Sequence, residues 1–374
     1  MNATGPQENP ARANWVDWLE RRLNLSEIFS FLTHFGLVYT PVDTTKPVRE
    51  VLRDVGERRV PRLAQGSRVL GLFAVILFGL QVVTGVLLAY YYRPTPAAAF
   101  ESTRTIVRDL PAGWFIHQMH VWGSWLLVFV IVIRLLRLFW DGLYRAPREI
   151  LWWCAVATTW LVIQLDFTGR LLVWDSQTYW STVRGLELVF AIPIVGPVLA
   201  FLLGGRVMSE DVLTRFYVLH VMVLPLFYAG FLYLTFATLR RIGVSGETRE
   251  PERTIRYRDH VYSMTMLTIL LFAVLVTLAT LAPFHFHGPA DPYATPGEVR
   301  PPWYMLASYA LLQHFPLPAL SGLVLFAAAI AVLLLPLWLR DETPAARART
   351  RIVGAAVLVV WIALSVLGAL LGRR

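Results

Sequence analysis

Seven separate runs of about 20 apolar residues constrain this chain more than any other feature of its sequence. They lie at roughly 69–92, 114–139, 150–172, 212–239, 263–283, 318–338 and 352–371. A hydrocarbon core of about 30 Å takes about 20 helical residues to cross, whereas a transmembrane strand needs only about 10. No water inside the bilayer satisfies stray amides, so a spanning segment must close its own hydrogen bonds. The expected fold class is therefore all-α, an integral membrane helical bundle of about seven transmembrane helices. The 56% hydrophobic content agrees, since a soluble chain of 374 residues would show shorter, amphipathic stretches.

A net charge of +9 raises the question of nucleic acid. The arginines answer it by clustering at span ends. With an inner N-terminus, the inner loops hold Arg145 and Arg148, then Arg240, Arg241, Arg249, Arg253, Arg256 and Arg258, then Arg340, Arg347, Arg349 and Arg351. The outer loops are longer and carry fewer. This is the positive-inside bias, and it predicts a multi-pass protein of the inner (plasma) membrane with a cytoplasmic N-terminus, lipid contacts and no nucleic acid. The first 67 residues are polar and proline-bearing, so no signal peptide is expected. Within them, Trp15 to Leu32 has apolar residues at helical spacing, which suits an amphipathic helix on the inner surface or, less specifically, a solvated tail. The single Cys154 lies inside an apolar run. That excludes a disulfide framework, a cysteine metal site and a haem attached through Cys-x-x-Cys-His.

Residues 186–203 complicate the count. They are apolar but contain Pro193, Gly196 and Pro197, which break a helix. Read as a broken hairpin on the outer surface, this stretch lets the second and fourth spans both enter from outside. His120 and His220 then lie at one depth, each about one and a half turns into its span. Three regions result: 1–67, an inner N-terminal segment; 68–245, a four-helix front; and 246–374, a three-helix back. The long outer loops 93–113, 173–211 and 284–317 are where substrate or partners should act.

A histidine inside a membrane helix is costly and rarely idle. Two at matched depth on different helices can ligate one haem iron axially; a lone one more often bonds a neighbouring helix. A porphyrin face also needs small residues beside it, and Gly85 and Gly169 lie at the histidine level in the first and third spans.

These residues belong to longer stretches. They include Gln81, Thr84 and Gly85 with Tyr91–Tyr92–Arg93–Pro94, Gly113–Trp114 leading to His120, and Ala146–Pro147–Arg148–Glu149. Further on come Trp174–Asp175, Leu213–Thr214–Arg215–Phe216–Tyr217 leading to His220, and Pro301–Pro302–Trp303–Tyr304. From about residue 65 onward the chain resembles the cytochrome b/b6 family, the quinol-oxidising membrane subunits of bc and b6f complexes. The resemblance implies a haem-bearing four-helix bundle with an outer-side, low-potential haem held by His120 and His220.

The departures are specific. In the family a second, inner-side haem uses histidines 14 and 15 residues further on; here those positions hold Arg134 and Thr235. Arginine keeps its proton under ordinary conditions, threonine binds iron weakly, and Ala155 stands where the third span should be smallest, with Gly71 kept in the first. One haem b is therefore expected and the second is expected to be absent. No cysteine stands near Val69, where b6 proteins attach a further haem, and His34 and His260 fall in inner-surface segments. Arg134 then either lies in a wet cavity that takes an anionic lipid or quinone head group, or snorkels inward beside Arg137.

The family's quinol-site Pro-Glu-Trp-Tyr motif reads Pro301–Pro302–Trp303–Tyr304, so proline replaces the carboxylate that takes a proton. Glu298, His285, His287 and His314 are nearby titratable candidates, and His285 with His287 suits a loop metal site only if further ligands join. The family's Pro-Trp-Asp-Gln reads Val173–Trp174–Asp175–Ser176, and the arginine that pairs a haem propionate is His117. The resemblance thus implies a one-haem electron-transfer subunit working between a quinone or neighbouring cytochrome and an outer partner, a Rieske iron–sulfur protein or c-type cytochrome. Family dimers imply a second copy or a complete cytochrome b beside it. Two other readings stay open: a structural or assembly subunit, and a conventional quinol–cytochrome c reductase subunit with unusual residues. Whether the chain is part of an enzyme follows from that choice.

Overall fold

The computed structural model describes residues 45–61, 66–242, 254–297, 299, 301–314, 318–339 and 343–371. The segment Trp15 to Leu32, His34 and Glu298 lie outside the described residues. Contacts divide the chain into two compact units, one of residues 1–65 with 239–268 and the other of 66–238 with 269–374.

In the smaller unit, helix α1 (Val48–Glu57) buries Val51 and Val55 against Tyr257. Strand β1 (Arg59–Pro61) pairs antiparallel with β2 (Thr254–Arg256). Glu57 takes Arg258 at 2.9 Å and Arg256 at 3.6 Å. Two of the inner-loop arginines are thus tied to one carboxylate.

The larger unit is helical. In order come α2 (Gly66–Ala89), α3 (Ala99–Asp109), α4 (Gly113–Trp140), α5 (Glu149–Leu172), α6 (Ser176–Phe190), α7 (Val195–Leu203) and α8 (Glu210–Val218). A π-helical turn, Leu219–Val223, leads into α9 (Leu224–Ile242), followed by α10 (Tyr257–Leu281), α11 (Leu306–His314), α12 (Pro318–Trp338) and α13 (Pro344–Leu371). Among the described residues, seven helices are long and apolar enough to cross a membrane: α2, α4, α5, α8 to α9, α10, α12 and α13. The all-α membrane bundle expected from the sequence is the one observed, with two three-residue strands as its departure. The stretch 186–203 forms no span, because α6 ends at Phe190 and α7 begins at Val195 after Pro193.

Helix α2 packs along α4, α4 along α5, and α8 with the π-turn against α5. Their shared core includes Leu77, Val128, Val162 and Tyr228, joined by Leu275 of α10. Two prolines explain local irregularities. Pro225 has no N–H and crowds the carbonyl four residues earlier; the wider π-turn stands there, with Leu224 N–H bonding Leu219 O. Pro336 lies inside α12 and leaves the Val332 carbonyl without its helical donor. Trp152 of α5 fills it, donating Nε1–H to Val332 O at 2.9 Å, and Trp153 donates to Leu333 O at 3.0 Å. An orphan carbonyl in lipid costs several kcal/mol, so these indoles fix where α12 docks.

Past the end of α5, Asp175 caps α6. Its Oδ1 accepts from Thr178 N and Thr178 Oγ1, each at 2.7 Å, and Oδ2 accepts from His287 N at 3.1 Å. The loop after α10 is thereby pinned to the end of α5, with Ser176 N donating to Gly288 O at 2.8 Å. Asp175→Ala removes the cap and the loop anchor together. We expect a loss of about 1–2 kcal/mol from the cap alone, read as a lower melting temperature, and faster proteolysis within 282–290.

Candidate functional site

His120 on α4 and His220 in the π-turn come together as the sequence spacing implies. Their ring centres are 6.2 Å apart and the ring planes cross at 74°. Two imidazoles sharing one metal ion, each bonded at about 2 Å through a ring nitrogen, place their centres about 6 Å apart. The second observation is the state of the other nitrogen. Thr84 donates its hydroxyl to Leu80 O at 2.7 Å, so its oxygen is left to accept from His120 Nδ1 at 2.8 Å. Thr168 likewise donates to Gln164 O at 2.8 Å and accepts from His220 Nδ1 at 3.2 Å. His220 Nδ1 also faces Leu165 O at 3.0 Å, an acceptor only. The hydrogen-bond network therefore assigns the proton of both rings to Nδ1 and leaves both Nε2 lone pairs for a metal, as second-shell partners of a ligating histidine do.

The glycines sit where the sequence placed them, with a more immediate task. A Cβ added at Gly169 would stand 2.5 Å from His220 Cε1, and one at Gly85 would stand 3.2 Å from His120 Cε1. They admit the imidazoles themselves. Gly123, which sequence reasoning passed over, does the same for Gln81, whose Nε2 would lie 2.3 Å from an added Cβ. Thr168 was missed and Thr84 was noted only within a family-like stretch, although both fall in a repeated Thr-Gly pair that signals them.

At the second level stand Arg134 and Thr235. Thr235 is buried and donates back to Phe231 O at 2.8 Å, within its own helix. Arg134 lies in electrostatic contact with Tyr228 and Cys154, on α9 and α5. Arg137 pairs separately with Asp141 at 3.4 Å. Arg134 and Arg137 thus have different electrostatic neighbours.

In the Pro301–Pro302–Trp303–Tyr304 segment, Trp303 and Tyr304 pack against the bundle core. Pro302 is buried and starts a short turn, and the Tyr304 hydroxyl donates to Asp166 on α5. Asp166 is buried and also takes Arg170 Nε at 2.6 Å and Ser124 Oγ at 2.7 Å. Burial holds the Tyr304 phenol well above its ordinary range, and the neighbouring carboxylate pushes it the same way. Asp166 and Arg170, four residues apart inside an apolar run, are the signal that sequence reasoning missed. His117 is buried and packs edge-on against Phe286 at 5.3 Å. His285 and His287 are exposed, and among the described residues no three metal-binding side chains group together. The side chain of His314, like Glu298, lies outside what is described.

Comparison with known proteins agrees with this geometry. The family model described as Cytochrome b/b6/petB matches residues 57–243, and that described as Cytochrome b(C-terminal)/b6/petD matches residues 289–374. The chain belongs to the cytochrome b/b6 family. A cytochrome b of Allochromatium vinosum is 31% identical over 336 residues, 81% of this chain and 80% of that one. A cytochrome b6 of Heliobacterium modesticaldum is 36% identical over 205 residues, covering 53% of this chain and 94% of the relative. A cytochrome b/c1 of Bradyrhizobium diazoefficiens is 28% identical across 99% of this chain, which spans 52% of that protein. A solved chain from a hyperthermophilic respiratory complex III shares the fold, with a TM-score of 0.76, 22% identity and coverage of 95% and 91%. Membership in the cytochrome b/b6 family makes this a multi-pass membrane protein of electron transfer and implies haem b, for which His120 and His220 are the fitting donors.

The two glycines should not tolerate enlargement equally. Gly169→Ala forces the His220 ring to move and should cost most of the bound haem. Gly85→Ala asks only a few tenths of an ångström and should retain the larger part. A pyridine haemochrome assay of the two purified variants reads the difference.

Proposed function

We propose that this cytochrome b homologue holds one haem b, on the outer side of the bundle, and relays single electrons between a quinone or neighbouring cytochrome and an outer partner. The observation that carries this is the His120–His220 pair, with both Nδ1 protons engaged and the ring centres 6.2 Å apart. When bound, the haem supplies one-electron redox chemistry. The chain's own residues do the rest. Thr84, Thr168 and the Leu165 carbonyl hold the rings in one tautomer, and Gly85 and Gly169 give them room.

Arg134 and Thr235, at the positions of the family's other ligand pair, support a single haem. An arginine stays protonated and offers no lone pair, and the Thr235 hydroxyl is spent on its own helix. The outer loops pinned by Asp175 offer the surface for a Rieske iron–sulfur protein or a c-type cytochrome. The name of the Bradyrhizobium relative, cytochrome b/c1, favours the second. A quinone at the outer pocket, a second cytochrome b as dimer partner, and a plasma-membrane location with a cytoplasmic N-terminus complete the reading.

Haem quantification against protein tests it directly. We expect one b-type haem per chain and one wave in an optical redox titration; two would overturn the single-haem reading. His120→Ala and His220→Ala should each remove the spectrum, and survival of the spectrum in either would remove that histidine from the ligand set.

A further inference from the structure

The polar cluster around Asp166 is built to a degree that packing alone does not require. Asp166 Oδ2 accepts from both Arg170 Nε and the Tyr304 hydroxyl, and Oδ1 accepts from Ser124. Three elements, α4, α5 and the turn at Tyr304, thus fix one guanidinium. That guanidinium lies over the Trp125 ring, 5.2 Å from its centre. Here the accounting is left open on one side. Arg170 Nη2 and Trp125 Nε1 are both buried and neither has an acceptor among the described residues. Two buried, unsatisfied N–H donors on a stacked pair of side chains ask for an oxygen.

We propose that Arg170 and Trp125 together grip a carbonyl oxygen of a quinone head group, with Asp166, Tyr304 and Ser124 as the positioning residues that aim the guanidinium. This rests on the quinone reading above and assigns the residues that would serve it. The same cluster explains why the carboxylate missing at Pro302 is not simply moved to Asp166. A base must be free to take a proton, but protonating Asp166 would strand a buried arginine, which costs several kcal/mol. The cluster therefore offers a charged donor where the Pro302 position offers nothing titratable. It should favour the oxidised quinone carbonyl, or a reduced form bearing negative charge on that oxygen, over a neutral hydroxyl.

The test uses the full-length, haem-loaded protein in lipid nanodiscs and a short-chain benzoquinone labelled with carbon-13 at its carbonyls. Binding is followed by titration, and the carbonyl stretch by infrared difference spectroscopy. Wild type should bind with one carbonyl band shifted to lower frequency. Arg170→Lys keeps the charge against Asp166 but loses the forked donor, and should bind about tenfold more weakly with the shift lost. Trp125→Phe should weaken binding by about threefold to tenfold. The double variant Asp166→Asn with Arg170→Gln, neutral on both sides, should bind no better than Arg170→Lys. An unchanged haem spectrum in each variant shows that the bundle is intact. If wild type binds and all three variants bind equally with the same band shift, the donor assignment is overturned while the quinone reading stands. If wild type binds no quinone although its haem is loaded and reducible, both fall. If the variants move the haem potential without touching quinone affinity, the donors serve a haem carboxylate and the proposal is overturned.

Discussion

Two hydrogen bonds from imidazole Nδ1 to the neighbouring helix decide what the rest of this bundle can do. In a bilayer core an unsatisfied ring nitrogen is expensive, and a histidine free to choose its tautomer is a poor ligand. Thr84 and Thr168 settle both matters because their own hydroxyl protons are committed to Leu80 and Gln164. Helix register then follows. The threonine and glycine of each pair are adjacent, so one helix face must present the acceptor while its neighbour leaves space for the ring. On the partner side, the π-turn at Leu219–Val223 adds a residue to one turn and so shifts register by about 100°.

Much of this was legible in the sequence. Long apolar runs report spans directly, since only helices of that length satisfy themselves in lipid. Pro193 and Pro197 kept the 186–203 stretch from being counted as an eighth crossing, and that choice brought His120 and His220 to one depth. Gly85 and Gly169 were found by level, although their contact with the imidazoles was not. The π-turn went unread, even with Pro225 as its cause, because a proline in a helical run more often signals a kink. Asp166 went unread for a different reason. Its meaning lies in Tyr304, 138 residues away, and the carboxylate was sought along the loop beside Pro302 instead of across the bundle. Packing that joins distant segments leaves no local period behind.

The back of the molecule shows the same economy with polar groups. Pro336 breaks the hydrogen-bond ladder of α12, and the indoles of Trp152 and Trp153 on α5 bond the carbonyls of Val332 and Leu333. A helix defect thus becomes a docking point. Gly354 lets Phe139 lie against α13, where an added Cβ would come within 2.3 Å of its ring. Small residues drive such contacts in lipid because apolar surface alone gains nothing there.

The intramembrane charges divide along the same line. Arg170 has Asp166 at 2.6 Å on its own helix, so the pair is neutral and can stand in an apolar bundle while still offering an N–H. Arg134 has a phenol and a thiol, Tyr228 and Cys154, as electrostatic neighbours. A guanidinium in such surroundings carries a net positive charge into the bundle, where it raises the cost of any further cation. At Arg170 the charge is compensated within one helix turn, and at Arg134 it is not matched by a carboxylate among these neighbours.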